Sequence, residues 1–214
     1  MGKRILLIRH GETDWNRTGR YQGHSDTDLN AKGRLQARKL CRRLAGERID
    51  AVYASDRKRT INSARMIFSA HTVKTRSGLR EISFGIFEGL TYKEIMKKYP
   101  ELHTKWAADP FGVKIPRGEM PAAFKRRVLR AFKEIAHRAV RGTVAIVTHG
   151  GVINVLVDEL LGGGTRQDFV PGHTSLTMIE FVKGKARAVL LNDTAHLKHG
   201  KDNIHSRRRK KRKE

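Results

Sequence analysis

The sequence predicts an α/β protein, a three-layer α/β/α sandwich with a mostly parallel central sheet and a small helical cap insertion. Short apolar runs typical of buried strands alternate with segments whose apolar residues recur at helical spacing. A chain of 214 residues with 38% hydrophobic content can also bury one substantial core. We therefore expect one domain over residues 1–200, followed by a basic, disordered tail over 201–214.

The apolar run at residues 5–8 predicts a buried first strand, and runs at 51–54 and 143–148 predict two more. Runs at 176–181 and 186–190 flank Lys183-Gly184 and predict a terminal hairpin. Open α/β sheets bind ligands beyond the carboxyl ends of their parallel strands. Polar residues that directly follow these strands are therefore the candidates for a functional site.

Helices are predicted over residues 30–45, 58–69, 120–140 and 151–161. The first carries a leucine pattern that predicts a buried face, formed by Leu35, Leu40 and Leu44. The third shows the clearest helical repeat, formed by Phe124, Val128, Phe132, Ile135 and Ala139. Three glycines at 162–164 predict the end of the fourth helix. They precede Thr165 rather than a Lys-Ser/Thr pair, so they do not indicate a phosphate-binding loop.

Residues 89–121 contain aromatic residues and prolines but no buried strand, which favours a helical cap inserted beside the pocket. The alternative is a plain crossover helix with a long loop. If the cap interpretation holds, we expect Trp106 and Phe111 to help select the alcohol part of a substrate.

The segment Arg9-His10-Gly11-Glu12 follows the first strand directly. A histidine at a strand end, beside an arginine and a glycine that lets a ligand approach the backbone, is a candidate nucleophile for a phosphoryl group. The alternative is a strand-end histidine that only hydrogen-bonds a turn, and the tetrapeptide alone does not decide between the two.

Other polar residues also follow short apolar segments. His149 follows the strand at 143–148, Arg59 lies beyond the strand at 51–54, and Glu81 follows Leu79-Arg80. If these segments are parallel neighbours in one sheet, the residues converge with Arg9 and His10. Two histidines, two arginines and one glutamate are the set that metal-free phosphoryl transfer requires.

Each residue type suits one part of that chemistry. Arg9 and Arg59 offer bidentate donors to a phosphate dianion, and their charge is expected to lower the pKa of His10. His149 would donate a hydrogen bond to the phosphoryl oxygens in the transition state. Glu81 would protonate the leaving alkoxide and later accept a proton from the hydrolytic water, with a phosphohistidine as the intermediate.

Ordered motifs from about residue 4 to about residue 197 resemble the histidine phosphatase superfamily, in its phosphoglycerate-mutase-like branch. They are Leu7-Ile8-Arg9-His10-Gly11-Glu12-Thr13 with Trp15-Asn16, then Tyr21-Gln22-Gly23, Arg80-Glu81 with Phe84-Gly85, and Val147-Thr148-His149-Gly150-Gly151. The resemblance implies that His10 is phosphorylated and that Arg9, Arg59 and His149 complete the phosphate pocket. It also implies substrate contacts from Asn16, Gln22, Gly23 and Gly150. The chain departs from the family pattern with Arg57 in place of a leucine and Thr60 in place of an alanine.

The resemblance implies a phosphomonoesterase for a small phosphorylated substrate, with no metal or organic cofactor. Three alternatives remain: a 2,3-bisphosphoglycerate-dependent phosphoglycerate mutase, an α-ribazole-5'-phosphate phosphatase of cobalamin synthesis, and a polyanion-binding protein on a retained phosphatase fold. The residues around Glu81 resemble the phosphatase branch rather than the mutase, and the intact set of five polar residues argues against loss of catalysis.

Ten histidines raise the question of a metal site, but no His-Glu-x-x-His or Cys-x-x-Cys pattern supports one. We expect several of them to be solvated, namely His71, His103, His137, His199 and His205. The single Cys41 excludes a disulfide framework. Neither a signal peptide nor a membrane-spanning run is present, so we expect a cytoplasmic enzyme. The oligomeric state is left open, with a dimer as one option.

The formal net charge is +24, of which residues 201–214 contribute +6 and the remainder of the chain +18. Seven adjacent cations, Arg207 to Lys213, repel one another and bury nothing. Such a tail could bind nucleic acid or another anionic surface without sequence preference. The alternative is a cationic surface bias that serves no partner.

Overall fold

The computed structural model describes residues 3–110, 112–138, 142–162 and 170–198. Within these residues six strands form one mixed sheet of order β3-β2-β4-β1-β5-β6. The strands are β1 (Lys3–Arg9), β2 (Ala51–Ala54), β3 (Val73–Thr75), β4 (Gly142–Thr148), β5 (Leu176–Val182) and β6 (Lys185–Asp193). The first four pair in parallel, whereas β5 and β6 pair antiparallel. The predicted α/β architecture is confirmed.

The helices of the described residues are α1 (Asp14–Arg17), α2 (Ala31–Arg43), α3 (Lys58–Ile67), α4 (Tyr92–Lys98), α5 (Pro100–Ala108), α6 (Pro121–Arg138), α7 (Gly150–Leu161) and α8 (Ala195–Lys198). The Asn30 side chain caps α2 by accepting a hydrogen bond from the Gly33 N–H at 2.8 Å. Gly162 ends α7 in the left-handed conformation, with φ 91°. The four predicted helices therefore exist. The short α1 and β3 were not predicted, because segments of three or four residues are too short to show a helical or strand repeat of apolar residues.

Side chains of β1 alternate between two apolar layers. Ile5 and Leu7 pack with α6 and α7 on one face of the sheet, and Leu6 and Ile8 pack with α2 and α3 on the other. The predicted apolar stripe of α6 is buried from Phe124 to Ile135. These two layers give the sheet its position at the centre of the molecule.

The predicted buried face of α2 was partly wrong. Leu40 and Leu44 are buried, but Leu35 is 44% exposed. Successive residues of an α-helix are rotated by about 100° around its axis, so Leu35 lies about 200° from the buried Ala37, on the opposite side of the helix. The leucine therefore belongs to the solvent face of α2.

The cap helices α4 and α5 have an apolar cluster of their own. Trp106 packs edge-on against Tyr21 and Phe87, each with ring centroids 6.1 Å apart. His103 is also buried in this cluster, 5.7 Å from the Trp106 ring, so the expectation that it is solvated was wrong. A backbone hydrogen bond from Tyr21 N–H to the Leu90 carbonyl, at 3.0 Å, ties the cap to the segment that precedes Gln22.

Some predictions fall outside the described residues: Ala139, Thr165, His199, His205, Phe111, glycines 163–164 and the tail with Arg207 to Lys213. Among the residues that are described, no helix is both long enough and apolar enough to cross a membrane.

Candidate active site

The two predicted histidines meet because their strands are neighbours. β1 and β4 pair in parallel with Arg9 opposite Thr148, so His10 and His149 follow side by side at the carboxyl edge of the sheet. The His10 N–H also donates to the Thr148 carbonyl at 2.9 Å. The two imidazole rings lie 5.3 Å apart at 65° to each other, and both are almost fully buried.

His10 is held as a neutral ring with one free nitrogen. Its Nδ1 lies 2.7 Å from the Gly11 carbonyl oxygen, which can only accept, so Nδ1 carries the proton and Nε2 keeps its lone pair. Burial and then the charges of Arg59 and Arg9 hold the pKa of His10 well below its ordinary value. The direction expected from the arginines is present, but burial is the larger cause. Nε2 is therefore available as a nucleophile at neutral pH.

His149 takes its orientation from Ser55. Its Nε2 lies 3.0 Å from Ser55 Oγ, and Ser55 is itself fully buried. No other hydrogen bond within the described residues engages this hydroxyl, so donation to Nε2 is the arrangement that leaves no buried hydroxyl proton unpaired. The His149 proton then sits on Nδ1, which is buried without a protein partner in the described residues. This tautomer gives the pocket a hydrogen-bond donor that awaits an acceptor.

His149 also stays neutral. Burial, followed by the charges of Arg59, His10 and Arg9, lowers its pKa well below the ordinary value. A neutral ring can donate from Nδ1 only in the tautomer that Ser55 selects.

The two arginines surround these rings. Arg59 is 1% exposed, and its guanidinium donates to the carbonyls of Ser25 at 2.6 Å and Gly23 at 2.8 Å. Arg9 Nη1 donates to the Pro171 carbonyl at 2.5 Å. The Nε–H of each arginine is buried without a partner in the described residues. Both groups can therefore offer further hydrogen bonds to an anion in the pocket.

Burial lowers the pKa of Arg59 to about 10, and the nearby charge of Glu81 opposes that shift. Burial also lowers the pKa of Arg9, again against the effect of Glu81. Both arginines remain cationic at neutral pH, and the shared influence of Glu81 places this carboxylate beside them.

The sequence analysis grouped Glu81 with residues that follow strands, but Glu81 reaches the site from a turn. It follows a short 3-10 segment, Ser77–Leu79, after β3. Its Oε2 accepts from the Gly151 N–H at 3.0 Å, and its Oε1 accepts from the Ile82 N–H at 3.0 Å. A Cβ at Gly151 would lie 2.3 Å from Oε1, so this position needs a glycine for Glu81 to approach the start of α7.

The predicted substrate contacts lie around this set. Asn16 Oδ1 accepts from the Thr13 N–H at 3.1 Å, and Gln22 Oε1 accepts from the Thr13 hydroxyl at 3.1 Å. Gly23 takes part through the carbonyl that binds Arg59. At Gly150, the position of a Cβ would be 3.9 Å from Arg9 Nε, so its backbone lies against the arginine.

Two histidines that the sequence analysis did not single out also border the site. His173 lies 6.2 Å from His10 between ring centroids, and its Nε2 is buried without a partner in the described residues. Burial and then the charge of Arg9 lower its pKa to about 4. His24, between the two carbonyls that bind Arg59, contributes to the electrostatic environment of His149.

The segment that carries His173 is fixed to the nucleophile. The Thr174 N–H donates to the Arg9 carbonyl at 3.0 Å, and the Thr174 hydroxyl contacts His196 Nε2 at 3.0 Å. The sequence alone does not show that His173 lies near His10, because this depends on the pairing of β5 with β1 in the sheet. No group of three or more His, Cys, Asp or Glu side chains suited to a metal ion occurs among the residues described.

Comparisons with known proteins agree with this geometry. The sequence profile of the histidine phosphatase superfamily (branch 1) matches residues 5–194. The chain is 32% identical over 198 residues to phosphoserine phosphatase 1 of Hydrogenobacter thermophilus, covering 91% of this chain and 94% of that protein. It is 32% identical over 199 residues to phosphoglycerate mutase-like protein 4 of Arabidopsis thaliana, covering 90% and 86%. The crystal structure of the α-ribazole phosphatase from Shigella flexneri superposes with a TM-score of 0.84 at 30% identity, covering 89% of this chain and 96% of that one.

Proposed function

The chain belongs to the histidine phosphatase superfamily (branch 1), and from this membership and the site geometry we propose that it is a metal-independent phosphomonoesterase acting through phosphorylated His10. Its substrate is a small phosphorylated metabolite. The observation that carries the proposal is the neutral His10, with Nδ1 held by the Gly11 carbonyl and Nε2 free, between Arg9 and Arg59.

In the first step His10 Nε2 attacks phosphorus while the bond from phosphorus to the ester oxygen breaks. Arg9 and Arg59 neutralise the dianion, and the Nδ1–H of His149 donates to a phosphoryl oxygen as charge spreads over the planar transition state. Glu81 delivers a proton to the leaving oxygen, so the alcohol departs neutral.

In the second step a water molecule attacks phosphorus of the phosphohistidine and gives its proton to Glu81. The nitrogen–phosphorus bond breaks, which restores the His10 lone pair and leaves inorganic phosphate in the pocket. Glu81 is then protonated again and ready for the next ester. Asn16 and Gln22 are proposed to donate their amide N–H groups to the bound phosphate.

The alcohol part of the substrate is proposed to meet the cap. The relatives carry different names, including phosphoserine phosphatase, phosphoglycerate mutase-like protein and α-ribazole phosphatase. The molecules in these names share a phosphoryl group and differ in the rest of their structure. Trp106 packs against Tyr21, which directly precedes the predicted phosphate contact Gln22, and this position supports a role in that choice.

Substitution of the nucleophile tests the proposal. His10→Ala should abolish turnover of a phosphomonoester in the presence of a chelator, and it should abolish the acid-labile phosphoenzyme label, because the substitution removes the nitrogen proposed to take the phosphoryl group. His137→Ala, at an exposed histidine of α6, is the matched control and should retain both. Normal turnover by the His10 variant would refute the mechanism. Interconversion of 2- and 3-phosphoglycerate that outpaces hydrolysis would establish the mutase instead.

We further propose that the tail, Arg207 to Lys213, binds polyanions such as nucleic acid, and that the enzyme works in the cytoplasm. The charge of the sequence supports the first proposal. The small metabolites in the names of the related phosphatases, phosphoserine and α-ribazole, support the second.

A further inference from the structure

One helical layer of the protein carries positive charge without any acid. The ranges of α2, α3 and α8 contain ten Lys or Arg residues and no Asp or Glu. Every other helix of the described residues includes at least one acid; these are Asp14, Glu94, Glu101, Glu134 and Asp158 in α1, α4, α5, α6 and α7. The acid-free helices lie together, since α2 and α3 pack on one face of the sheet and α8 packs against α2.

Some cations of this layer are neutralised by acids from neighbouring segments. Lys32 pairs with Glu12, Arg34 with Asp28, and Arg43 with Asp193. Lys58 also lies near an acid, Asp26, and Arg59 belongs to the phosphate pocket. The remaining five form what we call the basic face: Arg38, Lys39 and Arg42 on α2, Arg65 on α3 and Lys198 on α8. None of these five has a carboxylate partner among the described residues, and all but the half-buried Lys39 are exposed.

The spacing within the basic face is unfavourable for an isolated helix. Arg38 and Arg42 are four residues apart and therefore lie on the same side of α2, where like charges destabilise a helix. An external anion along this side would convert that repulsion into attraction. Residues 201–214, which follow this layer in the sequence, carry eight Lys or Arg and two acids.

We propose that the basic face binds the phosphate backbone of duplex nucleic acid, without sequence preference. Three of its five cations are arginines, whose guanidinium groups match phosphate geometry. Duplex DNA carries about one charge per 1.7 Å of its axis, so a rigid helix with cations about 6 Å apart meets phosphates along its length. The helices of this layer present no Phe, Tyr or Trp to solvent, so they offer no platform on which single-stranded bases would stack.

An anionic membrane is the less suitable partner. A helix that binds a membrane surface inserts an apolar face between the lipids. The apolar residues of α2, including Ala37, Leu40 and Leu44, are buried against the sheet, and Leu35 is the single large apolar side chain that the described part of this helix exposes. The layer therefore exposes positive charge but no apolar face that could insert into a membrane.

The test compares two triple variants of the full-length chain. The first, Arg38→Gln/Arg42→Gln/Arg65→Gln, removes charge from the basic face. The matched control, Arg126→Gln/Arg130→Gln/Lys133→Gln, removes the same charge from exposed positions of α6 on the other face of the sheet. All six residues are exposed and outside the catalytic set, so both variants should keep the phosphatase rate of the parent protein.

Binding to a labelled 20-base-pair duplex of arbitrary sequence is measured by fluorescence anisotropy over a range of salt. The first variant should weaken binding and reduce the slope of log affinity against log salt by about 2 to 3, because each phosphate contact contributes about 0.9. The α6 control should change the slope by less than one contact. Equal losses in the two variants would overturn the proposal, since binding would then follow net charge alone.

A third protein, deleted from Ser206 to Glu214, separates the face from the tail. The deleted protein should still lose affinity when the three basic-face arginines are replaced. If the deletion removes all binding, or if vesicles containing anionic lipid bind the parent protein more tightly than the duplex does, the basic face is not a nucleic-acid site.

Discussion

Ser55→Ala is expected to slow the enzyme by acting through His149. In the described part of the parent protein the Ser55 hydroxyl has one acceptor, His149 Nε2 at 3.0 Å, and this contact keeps the His149 proton on Nδ1. Without it, Nε2 is buried and unpaired, and the ring is free to adopt the opposite tautomer. That tautomer points a lone pair at the phosphoryl oxygens and removes the donor from the transition state.

The size of the effect follows from the cost of one unpaired buried group, about 1–3 kcal/mol. If this cost falls entirely on the transition state, kcat decreases by roughly 5- to 150-fold, since about 1.4 kcal/mol corresponds to a factor of ten. His149→Ala removes the donor altogether and should cost more, about 100- to 1,000-fold. KM should change less than kcat, because the hydrogen bond strengthens as charge develops.

A double-mutant cycle distinguishes this positioning role from a purely structural one. In a His149→Ala background, the further change Ser55→Ala should leave kcat the same within error, because its only route to the substrate has been removed. Ser55→Thr keeps the hydroxyl and should recover most of the loss. Steady-state rates on an aryl phosphate and circular dichroism of each variant are the measurements. If the two losses multiply in the double variant, the tautomer argument is wrong.

Two more predictions concern the acid and the response to pH. Glu81→Gln should slow hydrolysis of an alkyl phosphate more than that of an activated aryl phosphate, which needs little protonation, and Gly151→Ala should give the same pattern because its Cβ would lie 2.3 Å from Glu81 Oε1. Similar losses on both esters would exclude the acid role. The folded-state pKa of His173, about 4, lies below the ordinary 6.5, so its contribution to stability is complete above pH 6.5 and is lost as pH falls toward 4. At pH 5 about 2 kcal/mol should already be lost, and His173→Gln should reduce the pH dependence of unfolding by that amount; an unchanged dependence would contradict the assignment.

The part of the site that the sequence predicts is the part that follows strands. His10 and His149 come after apolar runs of four and six residues, at 5–8 and 143–148, and the parallel pairing of those runs was the simplest arrangement for such segments. Glu81 was placed in the same group because it follows Leu79-Arg80, although in the structure it leaves a 3-10 segment and its approach depends on Gly151 at the start of α7. For all three residues, the position after a short apolar segment carried the information.

The sequence does not predict the site residues whose position depends on the order of the strands in the sheet. His173 reaches His10 because β5 pairs with β1, and antiparallel partners far apart in the chain leave no local signal. His103 was expected to be solvated, but it is buried in the cap between Tyr92 and Trp106. Leu35 shows the opposite error, since a leucine at nearly helical spacing can still lie on the solvent side.

The arginines of the site bind the phosphate and also keep the nucleophile neutral. A phosphate dianion beside His10 would by itself favour protonation of Nε2, and a protonated ring cannot attack. Arg9 and Arg59 oppose this effect both by their own charge and by neutralising the dianion. The guanidinium group suits this position because Arg59 keeps a pKa of about 10 even though it is almost completely buried. A buried lysine would lose its charge more readily, so both substrate binding and nucleophile activation would weaken together.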